Sequence, residues 1–376
     1  MVRGAFGRVF NMPLEPLEIF CYYDVQRFTQ FGSMDCANWY GLSVDSGKKK
    51  QALYPAMGRK HLVSNGVNQL IFNSEPRLIF KSINFFYVVD GTQVFQYDKF
   101  FNQKTIGSVS LTGDLWYSVL TVINLVYIVL TDGTHIYVIT ENGTTVTMGT
   151  VTDPNAPGGA SNPGSPAFVA TFGNRILVST LNTPQFTLSQ VNLGTVPLDL
   201  TTCFTINGAP LIANASGIVR QMAVLHNQLY VFNDYTTDIW GNIQSSEIDV
   251  AGAVTFFPFK LNTSYNFDYG MEDPFSLSLS FGRMAWLGQN QDGFVSFLVS
   301  DGGRPQDFST EAINVLLQNS RVTGDLSPFI TQTVHGFIYQ YENTIFYRAV
   351  VGSFITEDIL DLDDNTIAIE FNFETQ

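Results

Sequence analysis

Phe85-Phe86-Tyr87-Val88-Val89-Asp90-Gly91-Thr92-Gln93-Val94-Phe95-Gln96-Tyr97 is two apolar, aromatic-rich runs joined through an Asp-Gly pair. Asp-Gly between such runs is a strong local hairpin signal, because both residues accept the positive φ of a tight turn. The same device returns at Asp132-Gly133, Asn142-Gly143, Asp292-Gly293 and Asp301-Gly302. Looser turn signals sit at Gly173-Asn174, His226-Asn227, Glu342-Asn343 and Asp364-Asn365. Helix is scarce. The best stretch is 309–317, where Ser309 or Thr310 can cap and Ala312, Ile313, Leu316 and Leu317 make one face.

Working outward, the strand that follows each turn recurs. Asn84-Phe85-Phe86-Tyr87-Val88-Val89 compares with Asn124-Leu125-Val126-Tyr127-Ile128-Val129, then with Asn174-Arg175-Ile176-Leu177-Val178. Asn227-Gln228-Leu229-Tyr230-Val231-Phe232, Gly282-Arg283-Met284-Ala285-Trp286-Leu287 and Asn343-Thr344-Ile345-Phe346-Tyr347 continue the series. Measured from Tyr87 through Tyr127, Leu177, Tyr230, Trp286 and Phe346, the intervals are 40, 50, 53, 56 and 60 residues. Units of this length holding several strands predict propeller blades. The expected fold is all-β: a β-propeller of about six blades over 63–376, with little helix, behind an N-terminal arm and closure segment over 1–62. A pair of two-sheet sandwiches is the structural rival. Thr152–Pro166, rich in Pro, Gly, Asn and Ser, reads as a flexible loop between the second and third units.

Composition narrows the function classes. The chain has 376 residues, 45% hydrophobic and 14% charged, with a formal net charge of −14. Ordinary soluble domains are about a quarter charged; here surface polarity must come from neutral side chains, as suits strand-rich proteins and members of assemblies. This much apolar and aromatic content excludes disorder. The acidic balance argues against tight binding to a phosphate backbone. The compact basic run Lys48-Lys49-Lys50, with Arg59-Lys60 nearby, reads as a solvated loop. Three cysteines, Cys21, Cys36 and Cys203, make neither a disulfide framework nor a zinc site and fit a chain folded in cytoplasm. Met1–Phe10 carries Arg3 and Arg8 with no apolar core behind them, so no secretory leader is expected. Leu115–Leu130 is too short and too interrupted to span a bilayer and reads as two buried strands.

Candidate chemistry is sparse. His61, His135, His226 and His335 have no partner at ligand spacing, and His226 and His335 fall in or beside predicted turns. No nucleophile elbow, phosphate loop or dinucleotide fingerprint occurs. Acidic clusters stand at Glu357-Asp358, Asp361 and Asp363-Asp364, and at Asp268 with Glu272-Asp273. A glycosidase needs two carboxylates about 5–10 Å apart, which linear spacing does not reveal. Asp361–Asn365 lacks the glycine and distal Glu of a calcium loop. Trp39, Trp116, Trp240 and Trp286 suit either a sugar-stacking platform or inter-blade core, and core is the favoured reading. The expectation is no catalytic, cofactor-binding or metal-binding residues, no cofactor and no enzymatic activity.

An ordered set of motifs carries a resemblance. Gly217-Ile218-Val219 precedes Leu229-Tyr230-Val231-Phe232-Asn233-Asp234 and Thr237-Asp238-Ile239-Trp240. Phe257-Pro258-Phe259, Tyr269-Gly270 and Pro274-Phe275-Ser276 follow, then Trp286-Leu287-Gly288-Gln289-Asn290, Gly293-Phe294 and Ser309-Thr310-Glu311-Ala312-Ile313. This order resembles the packaged-DNA stabilisation proteins of short-tailed bacteriophages, also called tail accessory factors or tail hubs. In the arm, Asp35-Cys36-Ala37-Asn38-Trp39-Tyr40, Gly47-Lys48-Lys49-Lys50, Ala52-Leu53-Tyr54 and Met57-Gly58 are similar to that family's run. Trp39 stands where Leu is usual and Ala56-Met57 where Thr-Pro is usual. The family continues past a strand like Ile367–Phe373 into a Thr-x-x-Trp closure, and here Thr375-Gln376 follows instead, which leaves closure of the C-terminal blade open.

The resemblance implies a non-enzymatic virion protein of the phage tail. It implies a homo-oligomer, typically a hexameric ring below portal and adaptor, that retains packaged DNA and docks a needle, fibres or spikes. DNA passes through the ring without specific binding, in keeping with acidic walls that repel phosphates, and no membrane is involved. The alternative is a carbohydrate-binding or glycosidase-like propeller. A trimeric fibre or spike is a third reading, but it requires short regular repeats that this sequence lacks.

Overall fold

The computed structural model describes residues 39–46, 49–55, 63–64, 68–69, 76–123, 125–191, 197–242, 259–261, 266–310, 313–314, 317, 334–341, 344–351 and 367–373. The chain divides into two compact units, Val63–Phe371 and a second formed by residues 1–62 with 372–376. In the second unit, β1 (Trp39–Ser46) and β2 (Lys49–Pro55) pair antiparallel, from Trp39 opposite Pro55 to Ser46 opposite Lys49. Of the basic run expected in a loop, Lys49 and Lys50 are the first residues of β2, and Lys48, Arg59 and Lys60 lie outside the described residues.

The larger unit begins with the short pair β3 (Val63–Ser64) and β4 (Asn68–Gln69) and continues as six antiparallel sheets in chain order. Blade 1 holds β5 (Pro76–Lys81), β6 (Phe86–Asp90), β7 (Gln93–Tyr97) and β8 (Gln103–Ser108). Blade 2 holds β9 (Trp116–Val122), β10 (Leu125–Thr131), β11 (Ile136–Asn142) and β12 (Thr145–Thr150). Blade 3 holds β13 (Pro166–Phe172), β14 (Arg175–Thr180), β15 (Gln185–Leu188) and β16 (Leu211–Asn214). Blade 4 holds β17 (Val219–Leu225), β18 (Gln228–Asn233), β19 (Thr237–Asn242) and β20 (Phe259–Leu261). Blade 5 holds β21 (Ser278–Ser280), β22 (Arg283–Gln289), β23 (Val295–Ser300) and β24 (Gln306–Asp307). Blade 6 shows three strands among the described residues: β25 (Val334–Tyr341), β26 (Thr344–Val351) and β27 (Ile367–Asn372).

What makes these sheets blades is burial on both faces of their second strands. Every residue of β10 is buried. Its odd-numbered members Leu125, Tyr127 and Val129 pack with Val169, Ile176 and Val178 of blade 3. Its even-numbered members Ile128 and Leu130 pack with Phe80, Tyr87 and Val89 of blade 1. In β18, Leu229 and Val231 face Phe172, Leu177 and Phe186 of blade 3, while Tyr230 and Phe232 face Met284, Trp286 and Leu298 of blade 5. Strand side chains alternate with period two, so one strand feeds two cores. Blades 5 and 6 meet through Phe297 and Phe308, whose rings contact Tyr347 and Phe371. A face-packed sandwich buries one face of each sheet; serial two-sided burial is a β-propeller.

First strands of successive blades meet. Thr171 Oγ1 of β13 donates to the Val119 carbonyl of β9 at 2.9 Å, and Ile338 N of β25 donates to Ser278 Oγ of β21 at 2.8 Å. Two-residue turns join first to second strands in blades 3, 4 and 5. They have positive φ at both positions in Gly173-Asn174 (58° and 57°), His226-Asn227 (48° and 59°) and Phe281-Gly282 (52° and 71°), the geometry of a tight hairpin turn. Counting from these turns, the third residue of the second strand is Tyr127, Leu177, Tyr230, Ala285 and Phe346. Trp286 therefore stands one place beyond the repeat position assigned to it from sequence, and the last two intervals become 55 and 61 residues.

Two further expectations change. The segment 152–166 is a compact hydrogen-bonded loop: Gly159 bridges Asn162, Ser161 N donates to the Pro154 carbonyl at 2.8 Å, and buried Asn162 Nδ2 donates to Thr187 Oγ1 at 3.0 Å. Pro166 opens β13 opposite Thr180, and before it Asp153, Asn155 and Asn162 supply the bonds. Of the helix over 309–317, Ile313, Asn314 and Leu317 are helical, with Ile313 N donating to Thr310 Oγ1 (3.4 Å) and Asn314 N to the Thr310 carbonyl (2.9 Å). The rest of that stretch past Thr310 lies outside the described residues.

Candidate functional site

Several buried acidic residues of the propeller fasten its blades and crossovers. Asp132, fully buried, ends the second strand of blade 2 at its Asp-Gly turn. Its Oδ1 accepts Thr134 N (2.9 Å), Thr134 Oγ1 (2.7 Å) and His135 N (2.7 Å). Its Oδ2 accepts Tyr137 OH (2.8 Å) and Ser110 N (3.0 Å), the latter from the crossover that leaves blade 1. Burial pushes this carboxyl up, but the donated bonds outweigh it and hold it below the usual carboxylate range. Burial and the bond to Asp132 push the Tyr137 hydroxyl up to about 12.

The arrangement repeats with other residues. Asp238 accepts Ser216 N (2.7 Å) and Ser216 Oγ (2.5 Å) from the crossover into blade 4. Asp153 accepts Phe204 N (2.6 Å) and Thr205 Oγ1 (2.8 Å) across the blade 3 insertion. Glu141 of blade 2 accepts Tyr87 OH (2.8 Å) and Asn84 Nδ2 (3.0 Å) of blade 1.

Of the acidic cluster at Asp268, Glu272 and Asp273, Asp273 is the member bonded across blades. Asp268 is exposed. Asp273 caps the 3-10 turn Pro274–Ser276 through Phe275 N (2.8 Å) and accepts Val334 N (2.7 Å), tying the approach to blade 5 onto blade 6. Burial raises the Asp273 carboxyl above its ordinary value against those two bonds. Glu357, Asp358, Asp361, Asp363 and Asp364 lie outside the described residues, as do His61, Cys21 and Cys36. Among the described residues no group of three His, Cys, Asp or Glu side chains is placed to hold a metal ion, and no helix is long and apolar enough to cross a membrane.

The remaining candidates have local roles. Cys203 is buried, and burial pushes its thiol up to about 12. His135 is exposed beside Asp132, with Nδ1 2.9 Å from Thr134 Oγ1. His226 occupies the first turn position of blade 4, as expected. His335 is not in a turn but is the second residue of β25, with its ring against Phe275 (5.1 Å). Trp286 is fully buried, its Nε1 donating to the Gly270 carbonyl at 3.0 Å, and Trp240 packs edge-on against Phe186. Trp116 touches Phe168 (5.0 Å) and Phe275 (4.3 Å). Trp116 opens blade 2 and Phe275 leads into blade 5; in a ring of six, that contact bridges the centre. No described tryptophan presents a free sugar platform, and the side chain of Trp39 lies outside the described part.

The prominent unfilled surface is at the turns. Asn84 bonding Glu141, and the ring of His226 lying beside Gly302, show that first-second turns of one blade adjoin third-strand ends of the next on one face. On that face Ile83, Ile123, Phe281 and Phe100 are each half exposed or more. Ile123 and Phe281 also hold φ of 51° and 52°, a region that costs a β-branched or bulky residue strain. Sequence reading named the turns but missed these tips, whose signal was a large apolar residue where Gly or Asn is ordinary.

Comparison with solved structures returns propellers at low similarity. The Neurospora crassa Pan2 WD40 domain is 10% identical over 75% of this chain and 76% of that one, with a TM-score of 0.40. Virginiamycin B lyase from Staphylococcus aureus is 11% identical over 83% and 84%, with a TM-score of 0.41. Kluyveromyces lactis Hsv2 is 10% identical over 73% and 78%, with a TM-score of 0.38. Nothing of their activities is carried to this chain. Comparison with curated proteins returns no match. Residues 216–325, blades 4 and 5 with the segment that follows, match the family described as Bacteriophage P22 Gp10, beta-propeller; over that stretch the chain is similar to a structural protein of a phage particle.

Proposed function

We propose that this chain is a non-enzymatic virion protein of a short-tailed phage. Several copies form the tail hub or nozzle below portal and adaptor, retain packaged DNA, and dock a needle, fibres or spikes. The observation that carries the reading is the match of residues 216–325 to the P22 Gp10 propeller family. Three features of the site support it. The buried carboxylates Asp132, Asp153, Asp238 and Glu141 are spent on holding blades and crossovers together. The centre of one propeller is bridged by Trp116 and Phe275, so a DNA path runs between copies and not through a single propeller. The apolar turn tips Ile83, Ile123 and Phe281 offer contact surface on one face.

The test is genetic and compositional. Particles made without this chain are expected to package DNA and then lose it, and the chain is expected in purified virions at a fixed stoichiometry with the portal. Its absence from virions, or stable infectious particles without it, contradicts the proposal.

A further inference from the structure

The antiparallel order of each blade sorts its connections onto two faces. First-second and third-fourth turns share the tip face; second-third turns and crossovers share the opposite one. The described charges divide unevenly between them. On the tip face Lys81, Lys99, Lys104 and Arg304 are exposed, together with the apolar tips Ile83, Phe100, Ile123 and Phe281. Lys99 Nζ lies over the ring of Phe100, 5.0 Å from its centre. The exposed or half-exposed acids of that side, Asp98, Asp199, Asp301 and Asp307, each accept bonds within their own loops. On the opposite face Asp114, Asp268 and Asp292 are exposed, as are Leu111, Leu181 and Tyr235. Among the described residues the Lys or Arg side chains there are Arg77 and Arg220, and both are engaged. Arg77 donates to the Gly91, Ser110 and Gly113 carbonyls, and Arg220 pairs with Asp234.

We propose that the tip face of one propeller docks on the opposite face of a second copy, head to tail. This rests on the reading of the chain as a ring-forming virion protein and names the surfaces that meet in the ring. Charge complementarity selects the occupant: the propeller carries the acidic counterpart of its lysine-bearing tips on its own other side. Apolar tips accompanied by cations have the composition of an interface, an apolar centre within a polar rim. The left-handed backbone at Ile123 and Phe281 costs strain in the isolated chain, and burial of both side chains against a neighbour offsets it. A phosphate backbone would use the cations but not the apolar tips. A tip-to-tip pair would set lysine against lysine. A head-to-tail contact joins two different patches, so it passes from copy to copy and closes into a ring when the rotation permits.

The test is sedimentation velocity of the full chain across a concentration series. The unaltered chain is expected to assemble, less readily as salt is added. The variants K81E/K99E/K104E and D114K/D268K/D292K, altered only at exposed positions, are each expected to need roughly tenfold more protein to assemble, with unchanged circular dichroism. Their equimolar mixture is expected to assemble as the unaltered chain does, because altered tips then meet altered opposite faces and intact tips meet intact ones. Unimpaired assembly of either variant alone overturns the proposal, as does a mixture that fails to recover or an unaltered chain that stays single. A lysine variant that fails beside an acid variant that assembles means that the tips meet some other surface, and overturns it too. Each of these leaves the virion reading standing, because that reading is tested by particle composition.

Discussion

Asp132 shows how one side chain can hold a crossover in place. Its five donors come from its own turn and from Ser110 of the preceding crossover. Asp132→Asn keeps the shape but removes the charge that those bonds stabilise, and is expected to cost about 2–4 kcal/mol in urea unfolding. The pH dependence has a defined sign. The native carboxyl titrates below its ordinary value, so its contribution is present above the unfolded value of about 3.9 and is lost as pH falls through the lower native value. Asp273, raised by burial, works the other way: its contribution is present below about 3.9 and declines as pH rises through its native value. Asp132→Asn should therefore flatten the acid limb of the stability curve. Cys203, with its thiol pushed up to about 12, is expected to resist iodoacetamide at pH 8 until the chain is unfolded; prompt labelling in the native state contradicts its placement. The Asp-Gly pair at 132–133 was legible as a turn. That its carboxylate also fastens Ser110, 22 residues upstream, was not, because the pairing depends on which loops the fold brings together.

At the scale of strands and turns, the second strand of each blade was the most legible element. It is buried on both faces and so reads as an unbroken apolar run, unlike the half-exposed first strand β9. The third strand of blade 4, with polar Thr237 and Asp238 fully buried, carries no such signal. The loop over 152–166 was misread because its Pro and Gly content does not show which side chains bond; those of Asp153, Asn155 and Asn162 decided its order. Trp286→Ala removes the largest fully buried side chain between blades 4 and 5 and is expected to cost about 3–5 kcal/mol. The opposite sign is expected at the turn tips. Ile123→Asn and Phe281→Asn place a residue that tolerates φ of 51° and 52°. Each should stabilise the isolated chain by about 1 kcal/mol in thermal or urea unfolding. If the tips are docking surface, the same variants assemble less well while standing up better to denaturant.

For the molecule as a whole, a handful of hairpins was enough to suggest propeller blades, since the recurrence of near-equal units is a property of the sequence alone. The identity of the faces was not, because inter-blade contacts such as Trp116 with Phe275 join residues 159 positions apart. The likeness to the phage propeller family was legible through the motif order in blades 4 and 5, the stretch that matches it. The central claim is that copies of a two-unit propeller protein associate into a tail ring. Single-particle electron microscopy of the purified full chain tests it most directly. The account predicts closed rings of several copies, each copy showing a six-bladed disc; monomers at micromolar concentration, or particles built of two face-packed sheets, contradict it.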